Sequence, residues 1–193
     1  AAGVGRTVAA RARAFSFPLV VDPVMVSKHG HALLDAEAAD VVRRELLPTA
    51  RLVTPNVPEA AALAGRPVTD RASARDAARA IADLGPAAVL LKGGHLGHGR
   101  AVDLLLADGE IVEVDGPRIE TRHTHGTGCT LSSAIVARMA QGEELEAAVR
   151  GAKAYLTDAL RTAPGIGRGT GPVDHFAEVP AHLSLRTTVP IRS

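Results

Sequence analysis

Aromatic side chains are nearly missing from this sequence: among 193 residues there is no tryptophan, and Tyr155, Phe15, Phe17 and Phe176 are the whole supply. Single-stranded nucleic acid is held on aromatic platforms that stack the bases, so that mode of binding is excluded. An excess of one charge is missing too. The 22 basic and 21 acidic residues leave a formal net charge of +1, without the positive field that duplex nucleic acid or an anionic membrane surface demands. Cysteine occurs once, as Cys129. That rules out an internal disulfide and any paired Cys-x-x-Cys metal site, and it fits a reducing, cytoplasmic compartment. No apolar run approaches the ~20 residues needed to span a bilayer. Residues Ala1 to Arg13 carry positive charge but lack the compact hydrophobic stretch and cleavage site of a signal peptide.

What is present is enough apolar material, 46% of the chain, to fill the core of one soluble globular domain. Val4, Val8, Ala9 and Ala12 recur at helical spacing and predict an amphipathic helix over residues 4–14. Pro18-Leu19-Val20-Val21 reads as a short buried strand ending at Asp22. Asp35 is placed to cap a helix that runs through Ala39, Val42 and Leu46 to Pro48. The strand Leu52-Val53-Thr54 stops at Pro55-Asn56, and a helix through Ala60, Leu63 and Ala64 is broken by Gly65. Ser73 is read as the cap of the next helix, through Ala77, Ala80 and Ile81. The clearest strand, Ala88-Val89-Leu90-Leu91, ends at Lys92-Gly93-Gly94. Residues 101–106 and 110–114, joined at Asp108-Gly109, read as an antiparallel hairpin. Helices are predicted from Thr127 to Ala140 and from Glu143 to Ala163, and the tail over 180–193 has no periodicity.

Strands alternating with helices imply right-handed crossovers and a mostly parallel sheet, the α/β class. Ligands of such sheets lie beyond the carboxyl ends of the strands. Asp22, Asn56 and Lys92 each follow a strand end, so the topology gathers them along one edge.

Thr124-His125-Gly126-Thr127-Gly128-Cys129-Thr130 leads directly into an apolar helix. Two glycines permit a tight turn with exposed backbone N–H groups, and a helix N-terminus favours an anion or a developing phosphoryl charge. The plainer alternative is a glycine-rich cap with a small buried cysteine. Lys92, one of three lysines with Lys28 and Lys153, precedes two glycines that leave space for a ligand, and it could neutralise transferring phosphate oxygens; alternatively it simply reaches water. Asn56 and Glu59 put an amide and a carboxylate on one helix turn, the oxygen donors that Mg²⁺ takes directly or through water, or else an N-cap with its first-turn carboxylate. Asp22 before Pro23 is a metal-side carboxylate or a turn former. The pairs His29/His31 and His123/His125 lack a coherent third and fourth ligand for zinc. Gly165-Ile166-Gly167-Arg168-Gly169 fails the dinucleotide spacing, and no G-x-x-x-x-G-K-[ST] phosphate loop occurs.

Five segments, taken in order, resemble the bacterial hydroxymethylpyrimidine/phosphomethylpyrimidine kinases of the ribokinase-like superfamily. They are Asp22-Pro23-Val24-Met25-Val26-Ser27-Lys28, Thr54-Pro55-Asn56-Val57-Pro58-Glu59-Ala60, Lys92-Gly93-Gly94-His95, His125-Gly126-Thr127-Gly128-Cys129-Thr130-Leu131-Ser132 and Gly171-Pro172-Val173-Asp174-His175-Phe176. The resemblance spans residues 18–176. It implies a three-layer αβα sandwich with a mostly parallel central sheet and a small antiparallel hairpin. A single kinase domain would cover residues 1–179, followed by a flexible tail over 180–193.

The implied activity is phosphorylation of 4-amino-5-hydroxymethyl-2-methylpyrimidine, and then of its monophosphate, with ATP and Mg²⁺ in thiamine biosynthesis. The backbone of Gly126, Thr127, Gly128 and Cys129 would form the anion hole, and Cys129, standing where related sugar kinases carry aspartate, would be the general base. Lys92 would stabilise the phosphates. Asn56 and Glu59 match the superfamily's Asn-x-x-Glu motif that organises Mg²⁺, with Asp22 beside them, and Lys153 would lie towards the adenine. Whole members of the family also carry first strands, an early glycine-rich segment and much of the pyrimidine pocket, which the resemblance places ahead of Ala1 in a longer chain. Two other readings stay open: a pyridoxal or pyridoxine kinase of the same superfamily, and a noncatalytic ligand-binding remnant. A homo-oligomer is compatible with all three.

Overall fold

The computed structural model describes residues 2–25, 33–93 and 99–178. Ser27, Lys28, His29, His31, Gly94, His95 and the tail over 180–193 therefore lie outside the described residues. The chain divides into two compact units, residues 1–115 and 116–193.

The first unit opens with α1 (Ala2–Ala12). Its packed face is not the one the valine spacing picks out. Ala2, Ala9 and Ala12 are buried while Val4 and Val8 face outward, because α1 lies close against the following helix: a Cβ at Gly5 would come within 3.0 Å of Val41 Cγ1. Only small residues permit that approach. After β1 (Val20–Val21), the Asp35 carboxylate accepts from the Ala38 N–H at 2.7 Å and starts α2 (Ala36–Val41). The helix then widens into a π turn over Val42–Leu46 and tightens into a 3₁₀ turn, Leu47–Thr49, that contains Pro48.

Strand β2 (Leu52–Val53) is followed by α3 (Val57–Ala64), and α4 (Arg71–Ala82) by β3 (Ala88–Leu91). Ser73 is not the cap of α4. Asp70 is, its carboxylate accepting from the Ser73 N–H at 2.8 Å while Ser73 Oγ accepts from the Asp70 N–H at 3.1 Å. Both residues form one reciprocal capping box, in which serine holds the third helical position.

β1, β2 and β3 pair in parallel, Val20 opposite Leu52 and Val53 opposite Val89. β4 (Arg100–Ala107) then pairs antiparallel with β3, Leu91 opposite Leu104, and β5 (Glu110–Pro117) completes the order β1-β2-β3-β4-β5. The parallel strands and the hairpin expected from the sequence thus share one mixed sheet. Only residues 92–99 separate β3 from β4, too few for the crossover that a parallel pairing requires. Asp108 and Gly109 both take positive φ, the tight hairpin turn whose twist matches the strands. Val53, Val89, Leu91, Leu104 and Leu106 of the sheet bury against Ala60 and Leu63 of α3 and Ala74, Ala77 and Ile81 of α4.

In the second unit α5 (Thr127–Ala140) packs on α6 (Leu145–Arg161). Leu131 and Ile135 are buried on α5, and Ala148, Val149, Ala152 and Ala159 on α6. Arg138, also buried, is held by Glu143 through two contacts, Nε to Oε2 at 3.0 Å and Nη2 to Oε1 at 2.8 Å. No helix among the described residues is long and apolar enough to cross a membrane.

Candidate functional site

In the first unit, the ends of three parallel strands gather the polar residues that the sequence placed there. Asp22 follows β1, Asn56 follows β2, and Lys92 follows β3 and forms a parallel bridge with Asn56. The Lys92 N–H donates to the Pro55 carbonyl at 2.8 Å, which continues the parallel pairing beyond β2 and β3 and fixes where the lysine side chain starts. Lys92 Nζ then reaches Asp22 Oδ1 at 2.8 Å, and Thr54 Oγ1 donates to the same oxygen at 3.0 Å. Both charged side chains are mostly but not wholly buried, 15% and 16% exposed. A cation so placed keeps a path to an incoming anion.

Asn56 and Glu59 form a complete capping box at the start of α3. The Asn56 N–H donates to Glu59 Oε2 at 2.8 Å, and the Glu59 N–H donates to Asn56 Oδ1 at 2.9 Å. The plain structural reading of this pair is therefore realised. It does not exhaust the carboxylate, because Glu59 is only 2% exposed and lies within the electrostatic reach of Lys92 and Asp22. Burial pushes the Glu59 carboxyl above its ordinary range; the Asn56 backbone hydrogen bond and the Lys92 charge oppose this, and the Asp22 charge adds to it.

Among the described residues no group of three or more His, Cys, Asp and Glu side chains could hold a metal ion. Asp22 and Glu59 nevertheless each keep one carboxylate oxygen outside the bonds above. That donor set fits Mg²⁺, which keeps several waters and needs only one or two carboxylates besides substrate phosphates. It does not amount to an all-protein cage.

Two contributors escaped the sequence reading. Thr54 closes a buried apolar strand with a hydroxyl that holds Asp22. Asp103, buried on β4, accepts from the Gly93 N–H at 3.0 Å and pins the backbone immediately after Lys92. Its signal was present, as one carboxylate inside the otherwise apolar run Val102–Leu106.

The second unit contains Gly126–Cys129. Gly126 takes φ 80° and precedes the first turn of α5, which no side chain among the described residues caps, so the turn presents backbone donors. The Thr127 N–H and hydroxyl both go to the Thr124 carbonyl, the former at 3.5 Å, and the Thr130 N–H goes to the Gly126 carbonyl at 2.8 Å. Cys129 is exposed, which removes the alternative of a small buried cysteine. Lys153 is buried on α6.

The fold recurs in solved structures. Pyridoxal kinase from Staphylococcus aureus, solved with AMP-PCP and pyridoxal, superposes with a TM-score of 0.84 at 29% identity, over 92% of this chain and 64% of that one. The fold is ribokinase-like, a class of small-molecule kinases. The profile of one family, phosphomethylpyrimidine kinase, matches residues 1–174, and the chain belongs to that family. It is 51% identical over 158 residues to a hydroxymethylpyrimidine/phosphomethylpyrimidine kinase of Streptomyces coelicolor, covering 82% of this chain and 58% of the relative. It is 50% identical over 158 residues to the thiamine biosynthesis bifunctional protein ThiED of Geobacter sulfurreducens, covering 32% of that longer protein. The chain thus matches about three fifths or less of the length of these curated relatives.

Proposed function

We propose that the protein containing this chain transfers phosphate from ATP to 4-amino-5-hydroxymethyl-2-methylpyrimidine and to its monophosphate, in thiamine biosynthesis. The observation that carries this reading is the gathering of Lys92, Asp22, Asn56 and Glu59 at three strand ends, in a chain about half identical to kinases named for those substrates. The names of the relatives favour the pyrimidine.

Phosphoryl transfer asks a protein for positioning and for stabilisation of charge on the moving oxygens. Lys92 supplies a cation whose direction is fixed by Asp22 and by the backbone on either side of it. On approach of a phosphate the ammonium can exchange part of its bond to Asp22 for one to the incoming oxygen. Asp22, Glu59 and Asn56 are the groups suited to hold Mg²⁺ through its waters, and that ion, when bound, neutralises charge on the phosphate oxygens. In the second unit, the backbone of Gly126, Thr127, Gly128 and Cys129 is assigned to the developing anion, the Thr127 N–H in exchange for its long bond to the Thr124 carbonyl. Cys129, exposed at the third position of α5, is assigned to accept the proton of the substrate hydroxyl. Lys153 is assigned to the adenine side.

A second reading, phosphorylation of pyridoxal, draws on the TM-score of 0.84 to a pyridoxal kinase solved with that substrate. One assay separates the two: ATP consumption with hydroxymethylpyrimidine, its monophosphate and pyridoxal, run on this chain and on a form extended upstream. Turnover of both pyrimidines supports the first reading. Turnover of pyridoxal alone replaces it with the second, and no turnover of any substrate by either form refutes kinase activity and leaves a ligand-binding remnant.

A further inference from the structure

The turn that leads into α5 is shaped by the chain segment that follows α6. That segment is anchored to α6 at two points: the Asp174 N–H donates to the Ala159 carbonyl at 2.9 Å, and the Tyr155 hydroxyl donates to the His175 carbonyl at 3.0 Å. Val173, just ahead of them, is buried. So anchored, the segment meets the turn twice. His125 and Pro172 form a parallel bridge, with the His125 N–H donating to the Gly171 carbonyl at 3.0 Å. The imidazole of His123 presses on the bare α-carbon of Gly171. A Cβ added there would lie 2.3 Å from His123 Nδ1, 3.2 Å from Cε1 and 3.3 Å from Cγ.

The far side of the ring also has neighbours. Arg122 Nε donates to His123 Nε2 at 3.3 Å, and a Cβ at Gly165 would lie 3.9 Å from the same nitrogen. The ring's Nδ1 is buried with no hydrogen-bond partner among the described residues. A buried polar atom left without a partner is costly.

We propose that the close fit of Gly171 against the His123 imidazole, a clasp, keeps the Gly126–Cys129 turn in place, and that glycine is required at 171 because any side chain would drive the imidazole out and shift the turn. Gly171 acts as a positioning residue, and the imidazole is the side chain it must accommodate. The catalytic consequence rests on the kinase reading above; the clasp itself does not.

Cys129 is the only cysteine of the chain and so a reporter of the turn that needs no substrate. Its rate of alkylation by iodoacetamide is measured at neutral pH in the parent and in Gly171→Ala, His123→Ala, His123→Ala/Gly171→Ala and Gly169→Ala, with thermal unfolding and kcat and KM for ATP recorded alongside. Gly171→Ala slows alkylation roughly three- to tenfold, the contribution of a well-aimed helix terminus, and lowers kcat roughly 10- to 100-fold with a smaller change in KM. Deleting the imidazole in the double variant makes room for the new methyl group and restores both rates towards the parent. Gly169→Ala, where nothing among the described residues lies within 4 Å of the added Cβ, leaves them unchanged. Parent-like alkylation in Gly171→Ala, or a double variant no better than Gly171→Ala, overturns the clasp. If Gly171→Ala does not fold, a folded double variant with a parent-like alkylation rate still supports it, and an unfolded one overturns it. An upstream-extended parent with no turnover of any substrate refutes the kinase reading while the alkylation comparison still decides the clasp.

Discussion

Replacing Glu59 by glutamine asks whether the pair Asn56/Glu59 is only a helix cap. Glutamine keeps an oxygen able to accept from the Asn56 N–H, a bond that measures 2.8 Å in the native chain, and glutamine serves as well as glutamate at this position of a capping box. Glu59→Gln therefore leaves α3 capped, with Tm within about 2 °C of the parent. Asn56→Ala removes the acceptor of the Glu59 N–H; it costs about 1 kcal/mol and lowers Tm by about 2–4 °C. Activity runs the other way. If the Glu59 carboxylate helps to hold Mg²⁺ through water, Glu59→Gln raises the Mg²⁺ concentration needed for half-maximal phosphoryl transfer by roughly 10- to 100-fold, the usual cost of losing an outer-sphere partner. The measurements are calorimetric melting and a Mg²⁺ titration of ATP consumption in the upstream-extended protein. A Glu59→Gln protein with parental Mg²⁺ dependence and parental turnover would reduce the pair to its capping role. The same variant carries a pH signature. Burial holds the Glu59 carboxyl above its usual range, so the folded chain keeps this proton to a higher pH than the unfolded chain. The associated stability is fully present below the ordinary carboxyl range and is lost as pH rises through the raised value. Glu59→Gln removes that loss, and melting curves taken across this interval should be flatter in the variant than in the parent.

Lys92→Ala removes the cation that Asp22 orients and should slow phosphoryl transfer by about 2–4 kcal/mol in the barrier if the lysine acts as a preorganised charge; an unchanged kcat removes it from the mechanism. Cys129→Ala should abolish most turnover while nucleotide binding, followed by calorimetric titration, largely survives, and parental turnover would eliminate Cys129 as the base. Asp103→Ala deprives the Gly93 N–H of its buried acceptor and should cost about 1–3 kcal/mol in denaturant unfolding, whereas Asp103→Asn, which retains an acceptor oxygen, should lose less. Equal losses in the two Asp103 variants would mean that the charge rather than the hydrogen bond is what matters there.

The short strands and their end residues were legible because each carries a local signature. Val20-Val21, Leu52-Val53 and Ala88–Leu91 are apolar runs closed by Asp22, Pro55-Asn56 and Lys92-Gly93, and parallel pairing of such runs carries their ends to one edge. Asp108-Gly109 fixed the hairpin turn for a similar reason, since both residues accept positive φ. Where a choice depended on which neighbour was nearer, local signals fell short. Ser73 and Asp70 are both good caps, and the reciprocal bonds between them decide which one holds the cap position. Val4 and Val8 outrank alanine in hydrophobicity, yet close approach to Val41 turns the small face of α1 inward.

By itself, then, the sequence determined the α/β class, the family and the residue types at the strand ends and ahead of α5, because these follow from periodicity, turn chemistry and ordered motifs. Tertiary structure alone decided how those residues are committed. It pairs Lys92 with Asp22 at 2.8 Å, buries Glu59 inside a cap while exposing Cys129, recruits Asp103 from β4 to hold Gly93, and sets His123 against Gly171. Each of these joins residues 10 to 70 positions apart or depends on packing by distant elements. Hydrogen bonds and burial energies act over a few ångströms in space, and the chain brings such partners together only once it has folded.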